Sequence, residues 1–211
     1  MKKGFTLAEV LITLGIVGVI AVLTVPSVMQ DYKNKLYVTQ LKKAYIDITN
    51  GIQQELNDEH LDNFHLTKGS NGAQYFLTNY ITHSKGSACT NDCIKKLTGK
   101  DVTYESTSGD DAGTFSAQYG VITKYGAVIT MRTDEDYDAI FYIDVNGAEP
   151  PNITGRDIFS LVMRNGTNEV TDPNTNPAKC NSGEGNWHDT MMKYTAGCFQ
   201  SIMENNWTMK Y

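Results

Sequence analysis

The hydrophobic and polar positions divide the chain into an apolar beginning and a mixed remainder. No charged residue occurs from Val10 to Gln30, and the run from Val10 to Val25 is almost wholly aliphatic. The stretch from Phe5 to Pro26 has about 22 residues, which is a helix of roughly 33 Å and matches the hydrocarbon thickness of a bilayer. The pattern therefore predicts a membrane-spanning helix at the start of the chain.

Beyond Pro26 the apolar residues recur at three- and four-residue steps, which is typical of one face of an amphipathic helix. This face consists of Leu36 or Tyr37, Leu41, Ala44 or Tyr45, Ile48, Ile52 and Leu56. We expect one long helix from Phe5 to Asn57, about 80 Å in length, with a kink at Pro26. Two separate helices broken at Pro26 are the alternative.

The remainder alternates between turn-rich segments and short periodic ones. We expect loops at 58–72, 86–113 and 165–188, with a helical turn at 92–97 inside the second. Short helices are predicted at 74–81 and 196–205, and β-branched and aromatic runs predict strands at 127–131, 139–145 and 157–163. The turn at 133–136 makes the first two strands a hairpin. The predicted fold class is α+β, with the long N-terminal helix packed on a small antiparallel sheet.

Glu9 is the most informative residue of the apolar segment, because a carboxylate in hydrocarbon is costly and normally has a functional partner. A secretory signal peptide fits poorly. The apolar run exceeds 7–15 residues, and the exit Thr24-Val25-Pro26-Ser27 lacks a convincing cleavage pattern. A plain single-span anchor fits the length and leaves Glu9 unexplained.

The run Lys3-Gly4-Phe5-Thr6-Leu7-Ala8-Glu9 before an aliphatic helix resembles the leader of type IV prepilins and type II secretion pseudopilins. The resemblance implies cleavage by prepilin peptidase after Gly4 and N-methylation of Phe5. It also implies that Glu9 meets the N-terminal amine of a neighbouring subunit during assembly. It is most specific over residues 1–30, where Pro26 and two glycines also match the family's helix-loosening positions.

The implied organisation is a leader at 1–4, a transmembrane and polymerisation helix at 5–30, and an amphipathic continuation at 31–57. A periplasmic or extracellular head at 58–211 follows. The implied partners are homologous pilin or pseudopilin subunits, prepilin peptidase, an inner-membrane assembly platform and the membrane itself. The chain would be a single-pass inner-membrane protein with a periplasmic head before assembly, and part of a fibre afterwards.

Four cysteines allow three disulfide pairings. Sequence proximity favours Cys89 with Cys93 and Cys180 with Cys198, and free buried thiols are the alternative. The second pair resembles the disulfide-bounded C-terminal region of type IV pilins. An exported head in an oxidising compartment is consistent with disulfides.

Composition and motifs give no sign of catalysis. The 211 residues carry a formal charge of −6, which disfavours general nucleic-acid binding, and no nucleic-acid partner is expected. His60, His65, His83 and His188 lack metal-ligand spacing. The turn from Asp144 to Asp157 has carboxylates and carbonyls suited to a hard cation, but turn formation alone explains its residues better. We therefore predict no metal, no cofactor and no enzymatic activity.

Two functions from different classes remain open. The resemblance predicts a structural subunit of a type IV pilus or a type II secretion pseudopilus. The alternative is a membrane-anchored periplasmic binding protein or enzyme whose leader only mimics that of a prepilin. A DNA-uptake minor pilin is disfavoured by the acidic composition.

Overall fold

The structure is a computed structural model that describes residues 4, 6–185, 187 and 189–210. It divides into two units, Met1–Leu36 and Tyr37–Tyr211. Helix α1 runs without interruption from Leu7–Glu59, through Pro26. The expectation of one long helix is confirmed, and the alternative of two helices broken at Pro26 is wrong.

The second unit combines the end of α1 with a sheet and four short helices. The helices after α1 are α2 (Ala73–Tyr80), α3 (Cys93–Thr98), α4 (Thr190–Thr195) and α5 (Cys198–Glu204). The strands are β1 (His83–Ala88), β2 (Tyr104–Glu105), β3 (Asp111–Gly113), β4 (Tyr119–Thr123), β5 (Val128–Arg132), β6 (Tyr137–Asp144), β7 (Ile158–Arg164) and β8 (Val170–Thr171). Short 3₁₀ turns occur at Phe64–Leu66, Gly69–Asn71 and Pro177–Lys179.

Six strands form the main sheet in the order β1-β4-β5-β6-β7-β8, and every neighbouring pair is antiparallel. Strands β2 and β3 form a separate antiparallel pair. The three predicted strands are β5, β6 and β7, at the centre of the sheet. The α+β, pilin-like fold expected from the sequence is therefore confirmed.

Both faces of the central strands are covered, so the core has two parts. One cluster joins the sheet to α1, α2 and α5, through residues such as Leu41, Ile48 and Phe141. The other packs α3, α4 and the β2–β3 pair against the opposite face, around Tyr104 and Tyr142. Because side chains are buried on both faces, every residue of β6 is buried and the strand shows no polar alternation.

Two parts of the chain differ from the sequence prediction. The segment 86–113 is not mainly loop, since it contains the end of β1 and both strands of the small sheet besides α3, the helical turn expected at 92–97. The final helix predicted at 196–205 is confirmed as α5, but α4 before it has no counterpart in the prediction, and Gly197, with φ +88°, lies between the two. A left-handed residue at that point ends one helix and starts another in a new direction.

Candidate functional site

The N-terminal part of α1 exposes its apolar side chains. From Leu7 to Ile20 every residue is exposed, and Leu7, Val22 and Leu23 are each more than 70% exposed. The helix contains a window of mean hydropathy 2.4, so it is long and apolar enough to cross a membrane. Exposed apolar surface on this scale requires a nonaqueous surrounding or partner helices.

The few polar side chains of this segment are satisfied by the helix's own backbone. The Thr13 hydroxyl donates to the carbonyl of Val10 at 2.9 Å, and the Thr24 hydroxyl donates to the carbonyl of Ile20 at 2.9 Å. The Ser27 hydroxyl donates to the carbonyl of Thr24 at 3.0 Å. Because these hydroxyl donors are satisfied within the helix, the side chains can lie in the hydrocarbon region of a membrane without unsatisfied hydrogen-bond donors.

Glu9 takes part in a capping box with Thr6. The Thr6 backbone N–H and hydroxyl donate to Glu9 Oε2 at 2.7 and 2.8 Å, and the Glu9 N–H donates to the Thr6 hydroxyl oxygen at 3.3 Å. This reciprocal pairing satisfies two groups at the start of the helix. The spacing Thr6-x-x-Glu9 is the sequence signal for such a cap.

The other N-terminal residues singled out from the sequence are Gly4, Phe5 and Pro26, with the glycines Gly15 and Gly18. Gly4 precedes the helix and has no regular structure, whereas Phe5 lies outside the described residues. Pro26 lies inside the continuous helix, and its role as a kink stays a prediction. At Gly15 and Gly18, an added Cβ would meet nothing within 4 Å in the described part of the chain.

The four cysteines form two disulfides. Cys89 is joined to Cys93, and Cys180 is joined to Cys198, which are the pairings that sequence proximity favours. The first links the end of β1 to the start of α3. The second attaches the 3₁₀ turn at Pro177–Lys179 to the start of α5.

Two of the described histidines, His65 and His83, have separate partners. His65 contacts Asp138, with 2.5 Å between Nδ1 and Oδ1, while His83 contacts the carbonyl of Ile81. His188 lies outside the described residues. Within residues 4, 6–185, 187 and 189–210 there is no metal-holding group of three or more His, Cys, Asp or Glu side chains.

Comparisons with known proteins bear on the beginning of the chain alone. Residues 1–25 match the family model described as the prokaryotic N-terminal methylation motif. Searches of curated proteins and of solved structures gave no match. The matched segment contains Gly4, Thr6 and Glu9, whose geometry is described above. The chain thus begins with a prepilin-type cleavage and methylation segment.

Proposed function

We propose that the chain is a structural subunit of a type IV pilus or a type II secretion pseudopilus. Prepilin peptidase cleaves it after Gly4 and methylates Phe5, and the mature protein then assembles through its N-terminal helix. The observation that carries the proposal is the methylation motif at residues 1–25, followed by an exposed apolar helix.

The apolar helix can lie first in the membrane and later among the helices of a fibre. Before assembly it anchors the protein in the inner membrane, with the head in the periplasm, where disulfides form. In a fibre the same side chains pack against helices of other subunits. Gly15 and Gly18 support helix packing, since small residues permit close approach and no atom of the described residues lies within 4 Å of an added Cβ at either position.

Glu9 is the proposed assembly residue. A charged amine and a carboxylate are each costly in hydrocarbon, and pairing them offsets much of that cost. An axial step between subunits brings the methylated amine of Phe5 beside Glu9 of a neighbour. The capping box offers a competing explanation, because Thr6 already gives the Glu9 carboxylate a local role.

Three substitutions separate these two roles. Glu9→Gln keeps an oxygen that can accept the capping bonds but removes the charge, whereas Glu9→Val removes both. Thr6→Ala removes the cap's hydroxyl and keeps the carboxylate. The measurements are fibre yield and the amount of membrane-resident mature protein, in cells that contain the assembly machinery.

We expect both Glu9 variants to be inserted and cleaved normally, with fibre yield at least about tenfold lower, because the amine is left unpaired. Thr6→Ala should retain most of the wild-type yield. Normal fibres from Glu9→Gln would assign Glu9 to capping alone. Absence of wild-type fibres in a competent cell would favour the anchored binding protein or enzyme.

A further inference from the structure

The segment between α1 and α2 contains two consecutive 3₁₀ turns, Phe64–Leu66 and Gly69–Asn71. Thr67 joins them, because its backbone N–H and its hydroxyl both donate to the carbonyl of Phe64, each at 2.9 Å. Phe64 and Thr67 are fully buried. The second 3₁₀ turn and its flanking residues, 67–72, are called turn 67–72 below.

Glu55 is the side chain of α1 that meets turn 67–72. It is fully buried, and its Oε1 accepts the N–H of Gly69 at 2.6 Å. A Cβ added at Gly69 would overlap both carboxyl oxygens of Glu55. A residue without a side chain therefore lets the backbone of the turn reach the carboxyl group directly.

The Glu55 carboxyl group has an incomplete set of partners. Its Oε2 is buried without a hydrogen-bond partner, since the Thr67 hydroxyl beside it donates to the carbonyl of Phe64. Glu55 also forms no ion pair within 4.0 Å in the described part of the chain. A proton on Oε2 removes the uncompensated charge and makes this oxygen a donor, for which the Thr67 hydroxyl oxygen is a neighbouring acceptor.

The titratable groups that face Glu55 do not supply the missing counter-charge. Glu59, one turn further along α1, adds a like charge, and Lys68 on the turn pairs with Glu59 at 3.2 Å. On α2, the Tyr75 hydroxyl also donates to Glu59, and burial raises the pKa of Tyr80, which keeps that group neutral. Burial consequently raises the pKa of Glu55 more than its hydrogen bonds lower it.

We propose that Glu55 is a pH-sensitive latch that holds turn 67–72 on α1 while its carboxyl group is protonated and releases the turn when the group ionises. The physical cause is the cost of a buried charge that has neither a counter-charge nor a second donor. The folded state binds this proton more tightly than the unfolded state does. Docking of the turn is therefore complete below the ordinary titration range of a carboxyl group and is lost as the pH rises through the raised pKa.

The release is confined to turn 67–72, because the preceding 3₁₀ turn has anchors of its own. The Phe64 N–H donates to Oδ1 of Asn168 at 2.8 Å, and His65 contacts Asp138, with 2.5 Å between Nδ1 and Oδ1. His65 is itself titratable, so the experiment has to separate its effect from that of Glu55. The latch does not depend on the assembly function proposed above.

The test measures hydrogen exchange of the Gly69 amide by NMR, on the full-length protein in detergent micelles, from about pH 5 to about pH 8.5. Dividing the random-coil rate at each pH by the observed rate gives a protection factor. Glu55→Gln keeps an oxygen that accepts the Gly69 N–H and cannot ionise. Glu59→Gln is the matched control, because Glu59 accepts the N–H of Lys68 from the same turn at 3.2 Å. His65→Asn removes the other titratable contact.

In the wild type, the protection factor of Gly69 should fall at least about tenfold over this range, which is the change that one pKa unit produces. Glu59→Gln and His65→Asn should show the same fall. Glu55→Gln should keep the low-pH protection at every pH, because its side chain stays neutral.

Two results would overturn the proposal. One is a wild-type protection factor that does not change with pH. The other is an equal fall in the wild type and in Glu55→Gln, which would assign the proton to another group. Should Glu55→Gln fail to fold, the ¹³C signal of the Glu55 carboxyl group in the wild type decides instead. It has to titrate in the pH range in which protection is lost, and a carboxyl group still ionised at about pH 5 would refute the latch.

Discussion

Gly155 shows how a single residue lets two parts of the second unit meet. It has φ +75°, and an added Cβ would lie 2.7 Å from Sγ of Cys198 and 2.6 Å from Nδ2 of Asn181. The β6–β7 loop therefore passes directly against the disulfide at the start of α5. Only a residue without a side chain permits both the backbone conformation and this contact.

Gly155→Ala should destabilise the protein through both effects. Gly99 is the matched control, because it has φ +78° and nothing within 4 Å of an added Cβ in the described part of the chain. Gly99→Ala should cost about 1 kcal/mol of unfolding free energy from its backbone conformation alone. Gly155→Ala should cost at least about 2–3 kcal/mol, since the disulfide cannot move away easily. Equal costs in chemical denaturation would show that the loop tolerates the contact.

The sequence signal is clearer in the N-terminal segment than in the core. An isolated charge in an apolar run makes Glu9 conspicuous, whereas Glu55 does not stand out among the polar residues of the amphipathic helix. Glu55 is fully buried, and its Oε1 accepts the N–H of Gly69 at 2.6 Å. A partner 14 residues away in a turn leaves no periodic signal, so the pattern of apolar positions could not reveal it.

Elements with strong periodic or β-branched patterns were predictable, and those defined by distant partners were not. Strands β5 to β7 are rich in Val, Ile and Phe, and the bounds that this pattern predicts agree with the observed bounds to within two residues. Strand β1 has the sequence HSKGSA, which lacks any strand signal. It forms because β4 offers it hydrogen-bonding partners from Tyr119 to Thr123, a tertiary effect that local propensity does not contain.

Asp172 connects β8 to the start of α5. Its Oδ1 accepts the N–H of Gly197 at 2.5 Å, and its Oδ2 accepts the N–H of Gln200 at 3.0 Å. It thereby satisfies backbone donors that the first turn of a helix leaves free. Burial raises the pKa of Asp172 to about 6, although these backbone bonds lower it in part.

This raised pKa predicts a pH-dependent stability. The unfolded value is about 3.9, so the folded protein binds the proton more tightly. The resulting stabilisation is complete below about pH 4 and is lost as the pH rises through 6, a change of roughly 2–3 kcal/mol. The measurement is the unfolding free energy of the wild type minus that of Asp172→Asn, from pH 4 to pH 7. The contributions of the other carboxyl groups to the pH dependence are the same in both proteins and cancel in this difference. A difference that grows with pH would show that the N–H donors outweigh burial.

At the scale of the whole molecule, the segment proposed to be processed and the disulfide-bonded core lie in different units of the chain. The cleavage and methylation motif lies in the unit Met1–Leu36, while both disulfides lie in the unit Tyr37–Tyr211. The proposed cleavage after Gly4 removes Lys2 and Lys3 and would change the formal side-chain charge from −6 to −8. The second unit has its own core, so its folding does not require the leader to be removed.

Gly4→Val should therefore block processing without disturbing the second unit. Glycine lacks a Cβ, which lets the peptidase approach the scissile bond closely, and a branched side chain prevents that approach. Gly18→Val is the matched control, because an added Cβ at either position meets nothing within 4 Å in the described part of the chain. We expect Gly4→Val to accumulate in the membrane as precursor, whereas Gly18→Val is cleaved.

Intact mass and thiol labelling decide the outcome. The wild type and Gly18→Val should each have lost four residues and gained one methyl group, while Gly4→Val should keep its full mass. All three proteins should resist alkylation until they are reduced, because their disulfides form independently of cleavage. Mature protein beginning at Phe5 in Gly4→Val would contradict the assigned cleavage position. Free thiols in the precursor would instead show that folding of the second unit depends on processing.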